Sequence, residues 1–108
     1  MNRIRCLSAS AGLAAALACQ TAAAATVSVS QADRQFKPAE LTIAAGDAVK
    51  IDNRDQFIHQ IYVDSPQLHF DSDEQPPGQT IEITFPKAGD FRVRCHIHPK
   101  MLLVIHVR

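Results

Sequence analysis

Two separate places in the 108-residue sequence carry side chains that could bind a soft metal ion. One is His59, and the other is the run from Cys95 to Met101, which also contains His98. Thiolate and thioether sulfur suit Cu(I), imidazole suits both oxidation states of copper, and two histidines, a cysteine and a weak axial methionine form the ligand set of blue copper centres. These residue types therefore indicate a metal centre, with copper as the favoured ion.

The spacing of these residues directs them toward one point. Cys95 ends a predicted strand in which Phe91 and Val93 point to the same side, because side chains alternate between the two faces of a strand. The chain then turns at Pro99, which allows the rest of the run to converge on that point. The alternation that follows His59 directs its ring inward from a neighbouring strand.

The sequence around these residues resembles the cupredoxins, and among them the amicyanin and plastocyanin group. The segment from Phe36 to Ile43, followed by Gly46 to Val49, looks like the family's N-terminal signature, and Asn53 stands six residues before His59 as in family members. The C-x2-H-x2-M spacing, with Pro99 directly after its histidine, is similar to amicyanin. The resemblance extends over the whole of residues 26–108.

By this resemblance, Cys95, His59 and His98 would be the equatorial ligands of one type 1 copper ion and Met101 the axial ligand. One departure is Gln60, which stands where family members commonly carry an asparagine that ties the two ligand segments together. The chain is also shorter than typical amicyanins. The resemblance implies copper binding, and it leaves the redox partner open.

His98 would serve as the electron port, since in the family the C-terminal histidine ligand reaches an apolar patch on the surface. Pro99 and the loop around Ala44 and Ala45 would be its neighbours. The cationic residues Lys100, Arg92 and Arg94 either steer an acidic partner toward the port or are scattered surface charge.

The elements that must position these residues are predicted to be strands. From Thr26 onward, apolar residues recur at period two in short segments bounded by Gly, Pro, Asp or Asn. This pattern predicts an all-β fold, an antiparallel Greek-key β-sandwich of seven to eight strands and no helix. The last segment, Leu102 to Val107, is apolar on both faces except at His106, which is typical of a central strand. The longest irregular stretch is expected over residues 65–78.

The N-terminal residues are typical of a secretory signal. Arg3 and Arg5 precede an uncharged stretch rich in Ala and Leu, and Ala23 and Ala25 form an A-x-A cleavage site. We therefore expect a signal peptide over residues 1–25, a cupredoxin domain over residues 26–108 and a periplasmic location. An alternative is cleavage before Cys19 with lipid attachment.

Removal of residues 1–25 leaves Cys95 as the single cysteine of the exported chain. A thiol without a disulfide partner in an oxidising compartment is either a small buried apolar residue or a metal ligand. Because Arg3 and Arg5 are lost, residues 26–108 hold nine Lys/Arg against eleven Asp/Glu, a net charge of −2. No basic stripe suggests nucleic acid as a partner.

These observations predict a periplasmic blue copper protein that carries single electrons between redox partners, such as a c-type cytochrome or a periplasmic dehydrogenase. We expect a monomer with no membrane span. The ligand motif offers no open coordination position and the sequence no nucleophile–base pair, so we do not expect an enzyme. Two alternatives remain: copper delivery or sequestration without redox turnover, with His96 beside the ligands, and a metal-free interaction module. His69 and His106 are interpreted as structural.

Overall fold

The chain folds into short strands, as its alternation predicts. A computed structural model describes the backbone of residues 3–7 and 18–108 and the side chains from residue 23 onward, and these residues contain no helix. The strands, in chain order, are β1 (Arg3–Leu7), β2 (Ala18–Ala22), β3 (Thr26–Ala32), β4 (Gln35–Lys37), β5 (Glu40–Ile43), β6 (Ala48–Asn53), β7 (Ile61–Ser65), β8 (Leu68–Asp71), β9 (Thr80–Thr84), β10 (Gly89–Cys95) and β11 (Leu102–Val107).

Nine of the strands form two sheets that enclose one core. One sheet has five strands in the order β5-β11-β10-β7-β8, and the other has four in the order β4-β3-β6-β9. The predicted all-β sandwich is confirmed. Two of its ladders, β5 with β11 and β3 with β6, are parallel, so the expected antiparallel pairing does not hold throughout.

The strand number is nine in the two sheets, where seven to eight were expected, because β4 and β8 had no clear signal. β8 lies inside residues 65–78, which were predicted to be irregular, and it forms a hairpin with β7. Only Leu68 and Phe70 of β8 are partly buried, since it is an edge strand. β4 is three residues long and pairs with the end of β3. Edge strands this short bury too little apolar surface to give a recognisable pattern.

The core lies between the two sheets and extends to the end of the sandwich that carries the predicted metal ligands. β11 lies between β5 and β10, as expected for a central strand, and its Leu103, Ile105 and Val107 are fully buried. Cys95 and Met101 are buried in the same apolar cluster. The predicted metal site therefore lies at one end of the core and is held by its packing.

The predicted signal peptide precedes this sandwich. β1 and β2 pair with each other in a separate antiparallel ladder. Residues 8–17, most of the apolar stretch, lie outside the described residues, so cleavage after Ala25 stays a prediction. Within the part of the chain that the structure describes, no helix has the length and apolar character to cross a bilayer.

Replacement of Phe85 should test how far the fold depends on its core. Phe85 is fully buried and packs edge-to-face against Phe91 at a centroid distance of 5.3 Å. We expect Phe85→Ala to lower the free energy of unfolding of the metal-free protein by about 3–5 kcal/mol, through lost burial and the cavity it leaves. Urea denaturation measures this, and the exposed neighbour Thr84, as Thr84→Ala, should change it by about 0.5 kcal/mol or less. Equal effects of the two variants would contradict a core role for Phe85.

Candidate metal centre

Three of the four residues singled out in the sequence meet at one point. The Cys95 Sγ atom lies 3.7 Å from His59 Nδ1 and 3.8 Å from His98 Nδ1, and the two Nδ1 atoms are 3.2 Å apart. Among the described residues, this is the one group of three or more His, Cys, Asp or Glu side chains close enough to hold a metal ion together. The structure thus brings together predicted ligands that stand 36 positions apart in the sequence.

The size of this triangle fits a metal ion with two nitrogen ligands and one sulfur ligand. The point equidistant from the three donor atoms lies about 2.1 Å from each of them, which is close to the bond lengths of about 2.0 Å to nitrogen and about 2.3 Å to sulfur in zinc proteins. Two imidazoles and one thiolate in a trigonal arrangement are the donor set typical of a blue copper centre. Donor chemistry and geometry therefore both fit copper.

Cys95 is positioned by strand pairing. It is the last residue of β10 and pairs with Ile61 at the start of β7, so its side chain faces the segment that carries His59. The backbone N–H of Gln60 donates to Cys95 Sγ at 3.4 Å, and the Gln60 carbonyl accepts a hydrogen bond from the His96 N–H at 2.9 Å. The Gln60 N–H is therefore placed to donate to the sulfur of a metal-bound cysteine, a contact that holds such a ligand in position.

His59 is held by its backbone as well as by its ring. It forms an isolated antiparallel bridge with Gln75, in which each residue's N–H donates to the other's carbonyl, at 3.0 and 2.7 Å. The buried Asn53 side chain donates to the carbonyl oxygens of Gln75 and Phe57, both at 2.9 Å. These bonds fix the loop before β7, which explains how one histidine in a loop can be aimed accurately into the core.

The far side of the His59 ring contacts a carboxylate. His59 Nε2 lies 3.1 Å from Asp55 Oδ2, and both side chains are nearly inaccessible to solvent, at 0% and 6%. Burial opposes ionisation of Asp55, but hydrogen bonds from the Arg34 N–H, the His59 ring and the Gln56 N–H hold the pKa of Asp55 below its usual value. The carboxylate therefore accepts the proton of Nε2, and Nδ1 keeps its lone pair directed toward Cys95 and His98.

Burial also sets the protonation of His59. Desolvation, together with repulsion from His98, lowers the pKa of His59 below its usual value, although the hydrogen bond to Asp55 opposes this shift. The ring is therefore neutral at neutral pH, as a metal ligand must be.

His98 and Met101 follow Cys95 in a tight turn. The Met101 N–H donates to the His98 carbonyl at 2.9 Å, which closes the turn directly before β11. The Met101 side chain is buried, at 2% exposure, and it lines a surface depression together with His98. This placement agrees with an axial position, and the assignment of Met101 as a ligand stays a prediction.

The exposed side of the site is apolar. Ile58 and Ile97 directly precede the two predicted histidine ligands in the chain. They are 43% and 47% exposed, the large apolar side chains with high exposure among the described residues. The Phe57 ring contacts the His98 ring edge-to-face at 6.0 Å. We call Ile58, Ile97 and Pro99, with the exposed edge of His98, the apolar rim.

The expectation that Ala44 and Ala45 lie beside His98 is wrong. The Ala45 N–H donates to the carbonyl of Arg108, after the end of β11, whereas Met101 lies before its start. The loop of Ala44 and Ala45 is therefore at the opposite end of the sandwich, separated from His98 by the length of β11.

The remaining predicted polar residues lie on the outside. His96 is exposed, stacks on Tyr62 at a ring distance of 3.8 Å, and is hydrogen-bonded to Asp71 at 3.0 Å. The Gln60 side chain also reaches Asp71, at 3.4 Å. Asp71 therefore contacts the residue after His59 and the residue after Cys95, and so links the two segments on the outer face of the sheet.

His69 and His106 take part in surface contacts away from the ligands. His69 Nδ1 is 3.8 Å from Asp64, and both are exposed. His106 Nδ1 is 2.8 Å from Asp90, which also accepts a hydrogen bond from Arg108 at 3.1 Å. Hydrogen bonds from His106 and Arg108 lower the pKa of Asp90.

Comparison with known proteins identifies the family. The family model described as the cupredoxin-like domain matches residues 6–105 of the chain. The chain belongs to the cupredoxin family. This membership and the cluster of His59, Cys95 and His98 identify it as a protein that binds one type 1 copper ion and, in general terms, as a blue copper electron carrier.

Solved structures of cupredoxins share the fold of this chain. It is similar to an amicyanin variant in the reduced state, with a TM-score of 0.72 and 24% identity over 77% of this chain and 82% of the other. It is also similar to a purple cupredoxin from Nitrosopumilus maritimus, with a TM-score of 0.68 and 20% identity over 76% and 99% of the two chains. Both likenesses show the fold.

Two longer proteins contain a similar unit. A copper-containing nitrite reductase from Thermus scotoductus has a TM-score of 0.69 and 28% identity, over 94% of this chain and 25% of the reductase. Methylamine utilization protein MauL from Methylophilus methylotrophus is 34% identical over 70 residues, which are 62% of this chain and 40% of that protein. The chain thus spans less than half the length of this curated relative.

Several residues that shape the centre were not predicted from the sequence. Asp55 and Gln75 hold His59 from the side and from the backbone, and Arg34 donates its N–H to Asp55 at 2.7 Å. Asp55 could have been noticed as a carboxylate four residues before a predicted ligand. Gln75 and Arg34 had no such signal, because only the folded chain brings them to the site.

The Asp55 carboxylate should lower the reduction potential of the loaded protein. Its negative charge and its hydrogen bond strengthen His59 as a donor and so favour Cu(II) over Cu(I). Asp55→Asn keeps an acceptor oxygen but removes the charge. If its effect on copper affinity is about 10- to 100-fold and falls mainly on Cu(II), the potential rises by about 60–120 mV.

A redox titration at pH 7 measures this change. Asp64→Asn is the matched control, because Asp64 is 82% exposed and its loss changes the net charge equally. An Asp55→Asn potential no higher than that of the control would contradict a role for Asp55 at the metal.

Proposed function

We propose that this cupredoxin is a periplasmic electron carrier in which Cys95, His59 and His98 are the equatorial copper ligands and Met101 is the axial ligand. The observation that carries the proposal is the triangle of three donor atoms with edges of 3.2 to 3.8 Å. A bound copper ion supplies a one-electron couple, and a His₂Cys site with a weak axial thioether suits both of its oxidation states.

The distribution of burial supports electron transfer as the activity. His59, Cys95 and Met101 are 2% exposed or less, whereas His98 is half-buried and borders the apolar rim. The protein therefore holds three of the proposed ligands in a dry core and presents the fourth at the surface. An arrangement of this kind keeps the ligands fixed during redox change and leaves one ring as the route for electrons.

The similar proteins indicate which kind of redox partner this chain would have. One relative is named for methylamine utilization, and the fold is shared with amicyanin. We infer a redox partner of the class predicted from the sequence, either a periplasmic dehydrogenase as electron donor or a c-type cytochrome as acceptor, with the chain acting as a monomer.

We propose no substrate turnover for the chain, although one similar structure is a copper-containing nitrite reductase. This chain corresponds to a quarter of that enzyme's length. Of the described residues, three His, Cys, Asp or Glu side chains gather closely enough for a metal only at the site already described. An electron carrier needs one metal centre that keeps its ion. The alternative function, copper delivery, needs a centre that releases the ion to an acceptor.

Copper loading tests the proposed ligands. Addition of Cu(II) to residues 26–108 should give an intense visible copper–thiolate absorption, which ferrocyanide or ascorbate bleaches and an oxidant restores. Cys95→Ala should abolish the band, because the thiolate is its source, and His96→Ala should retain it, because His96 lies outside the donor triangle. A colourless wild-type protein would rule out the centre, and rapid loss of copper to a chelator during redox cycling would favour delivery over electron transfer.

Export should give a defined N-terminus. When the full chain is produced in a Gram-negative host, the mature protein should be recovered from the periplasmic fraction and begin at Thr26, as shown by intact mass and N-terminal sequencing. Ala25→Pro should block this processing, since signal peptidase requires a small residue directly before the cleaved bond. A lipid-modified protein beginning at Cys19 would overturn the assignment in favour of a membrane anchor.

A further inference from the structure

We propose that the depression beside His98 is an anion-recognition surface, and that the redox partner is an acidic protein which places carboxylates against Arg34 and Lys100. This inference rests on the proposed function, because it specifies the partner that docks at the electron port. The proposal gives Arg34 and Lys100 a docking role that the other basic residues of the chain do not share.

The depression directly adjoins a proposed copper ligand. It has a volume of about 530 Å³ and is lined by the segment of residues 97–101, which includes His98 and Lys100, and by Arg34 and Gln35. Both cationic side chains belong to exposed residues. A partner group seated here would contact the apolar rim and both cations at once.

Arg34 is held in place rather than free in solvent. Its guanidinium lies over the Phe57 ring, 4.8 Å from the centroid, and Phe57 in turn contacts His98. Its backbone has φ of +54° and donates its N–H to Asp55. A cation over an aromatic face is partly immobilised, so less entropy is lost when it binds an anion, and the planar guanidinium can bind a carboxylate through two hydrogen bonds.

The acidic residues near Arg34 leave this surface positive. Asp33 is exposed and forms an ion pair with Lys37 at 3.1 Å. Asp55 is 6% exposed, its Oδ2 atom accepts hydrogen bonds from the Arg34 N–H and from His59, and it does not line the depression. The charged side chains that line the depression, Arg34 and Lys100, are therefore both cationic, although residues 26–108 carry a net charge of −2.

The structure assigns Arg92 and Arg94 to another surface. Both alternate with the buried Phe91, Val93 and Cys95 along β10, and so they project from the outer face of the five-stranded sheet. Of Lys100, Arg92 and Arg94, only Lys100 borders the electron port. Arg34, which the sequence did not indicate, is the second.

A protein partner fits this surface better than an anionic membrane. The apolar rim is small and only two cations lie beside it, whereas stable attachment to anionic lipid takes a cluster of several basic residues acting together. Carboxylates around an exposed redox group would match both the charge and the apolar rim, and they would speed encounter at low salt.

The salt dependence of electron transfer from a small anion distinguishes this local surface from the net charge. Ferrocyanide passes one electron to the Cu(II) protein and becomes ferricyanide, while the protein becomes Cu(I). At about 10 mM ionic strength the Debye length is about 30 Å, so charges near the port act strongly. We expect the second-order rate constant to fall as salt is added, whereas repulsion by a net charge of −2 would make it rise.

Matched variants locate the effect. Arg34→Gln with Lys100→Gln should slow the reaction about three- to tenfold at low salt and remove the decrease with added salt. Lys50→Gln with Lys87→Gln removes the same charge from exposed positions on β6 and on the turn before β10, and should have a much smaller effect. Equal slowing by the two pairs, or a wild-type rate that rises with salt, would overturn the proposal.

A redox-inert anion gives a readout that needs no electron transfer. Hexacyanocobaltate(III) added to the ¹⁵N-labelled Cu(I) or metal-free protein should shift the amide signals of Arg34, Ile97 and Lys100, and the Arg34→Gln protein should lose these shifts. Shifts confined to other surfaces would contradict the assignment. If this anion binds as expected but the Cu(II) protein shows no copper–thiolate band, the proposed function fails while the anion surface stands.

The protein and membrane alternatives are separated by sedimentation. Vesicles of phosphatidylcholine with 30% phosphatidylserine should leave the protein in the supernatant, as should vesicles of phosphatidylcholine alone. Pelleting with the anionic vesicles that is lost in the Arg34→Gln and Lys100→Gln protein would assign the surface to a membrane and overturn the acidic protein partner.

Discussion

The pairing of β7 with β10 is the constraint on which the metal centre depends. This pairing sets Cys95 opposite Ile61, and so brings the thiol to the segment that begins with His59. The Gln60 N–H bonds to the sulfur and the Gln60 carbonyl to the next residue of the other segment, which continues the contact beyond the ladder. A shift of one residue in this register would turn Cys95 to the outer face, because side chains alternate along a strand.

The metal centre places polar atoms at a solvent-excluded end of the core, and these atoms need hydrogen-bond partners there. A buried polar group without a partner costs about 1–3 kcal/mol. Asn53 and Gln75 provide that compensation for the backbone around His59, and Asp55 provides it for the ring. The protein can therefore hold two imidazoles and a thiol near one another, and a metal ion bound among them would satisfy the donor atoms that the polypeptide leaves directed at a common point.

The sequence predicted the parts of the site that depend on local spacing. Cys95, His98 and Met101 stand within one turn of chain, and the inward direction of His59 follows from its alternation with Ile61. Local spacing does not predict contacts between distant segments of the chain. The Arg34 to Asp55 bond joins residues 21 positions apart, and the loop of Ala44 and Ala45 was assigned to the wrong end of the sandwich because sequence spacing does not determine which ends of strands are adjacent.

Dependence on contacts between distant segments also explains which strands were predicted and which were not. The long alternating segments were recognised because each buries several apolar side chains, and their arrangement around one core confirms the predicted fold class. β4 and β8 are short edge strands that depend on a neighbour for their hydrogen bonds, so their formation is a result of the fold rather than of their own composition. The parallel pairing of β5 with β11 likewise joins segments from distant parts of the chain.

Arg34 connects the buried and exposed sides of the metal centre. The charged groups on these two sides shift the reduction potential of a bound copper ion in opposite directions. The Asp55 carboxylate favours Cu(II), whereas the Arg34 guanidinium and Lys100 favour Cu(I). Electrostatic effects are larger between buried groups, and Asp55 contacts the His59 ring directly at 3.1 Å, while the two cations are exposed and screened by salt. Asp55 should therefore dominate the resting potential. A docked acidic partner would neutralise the cations and exclude water, which would strengthen the influence of the carboxylate and favour oxidation of the carrier at the moment of contact.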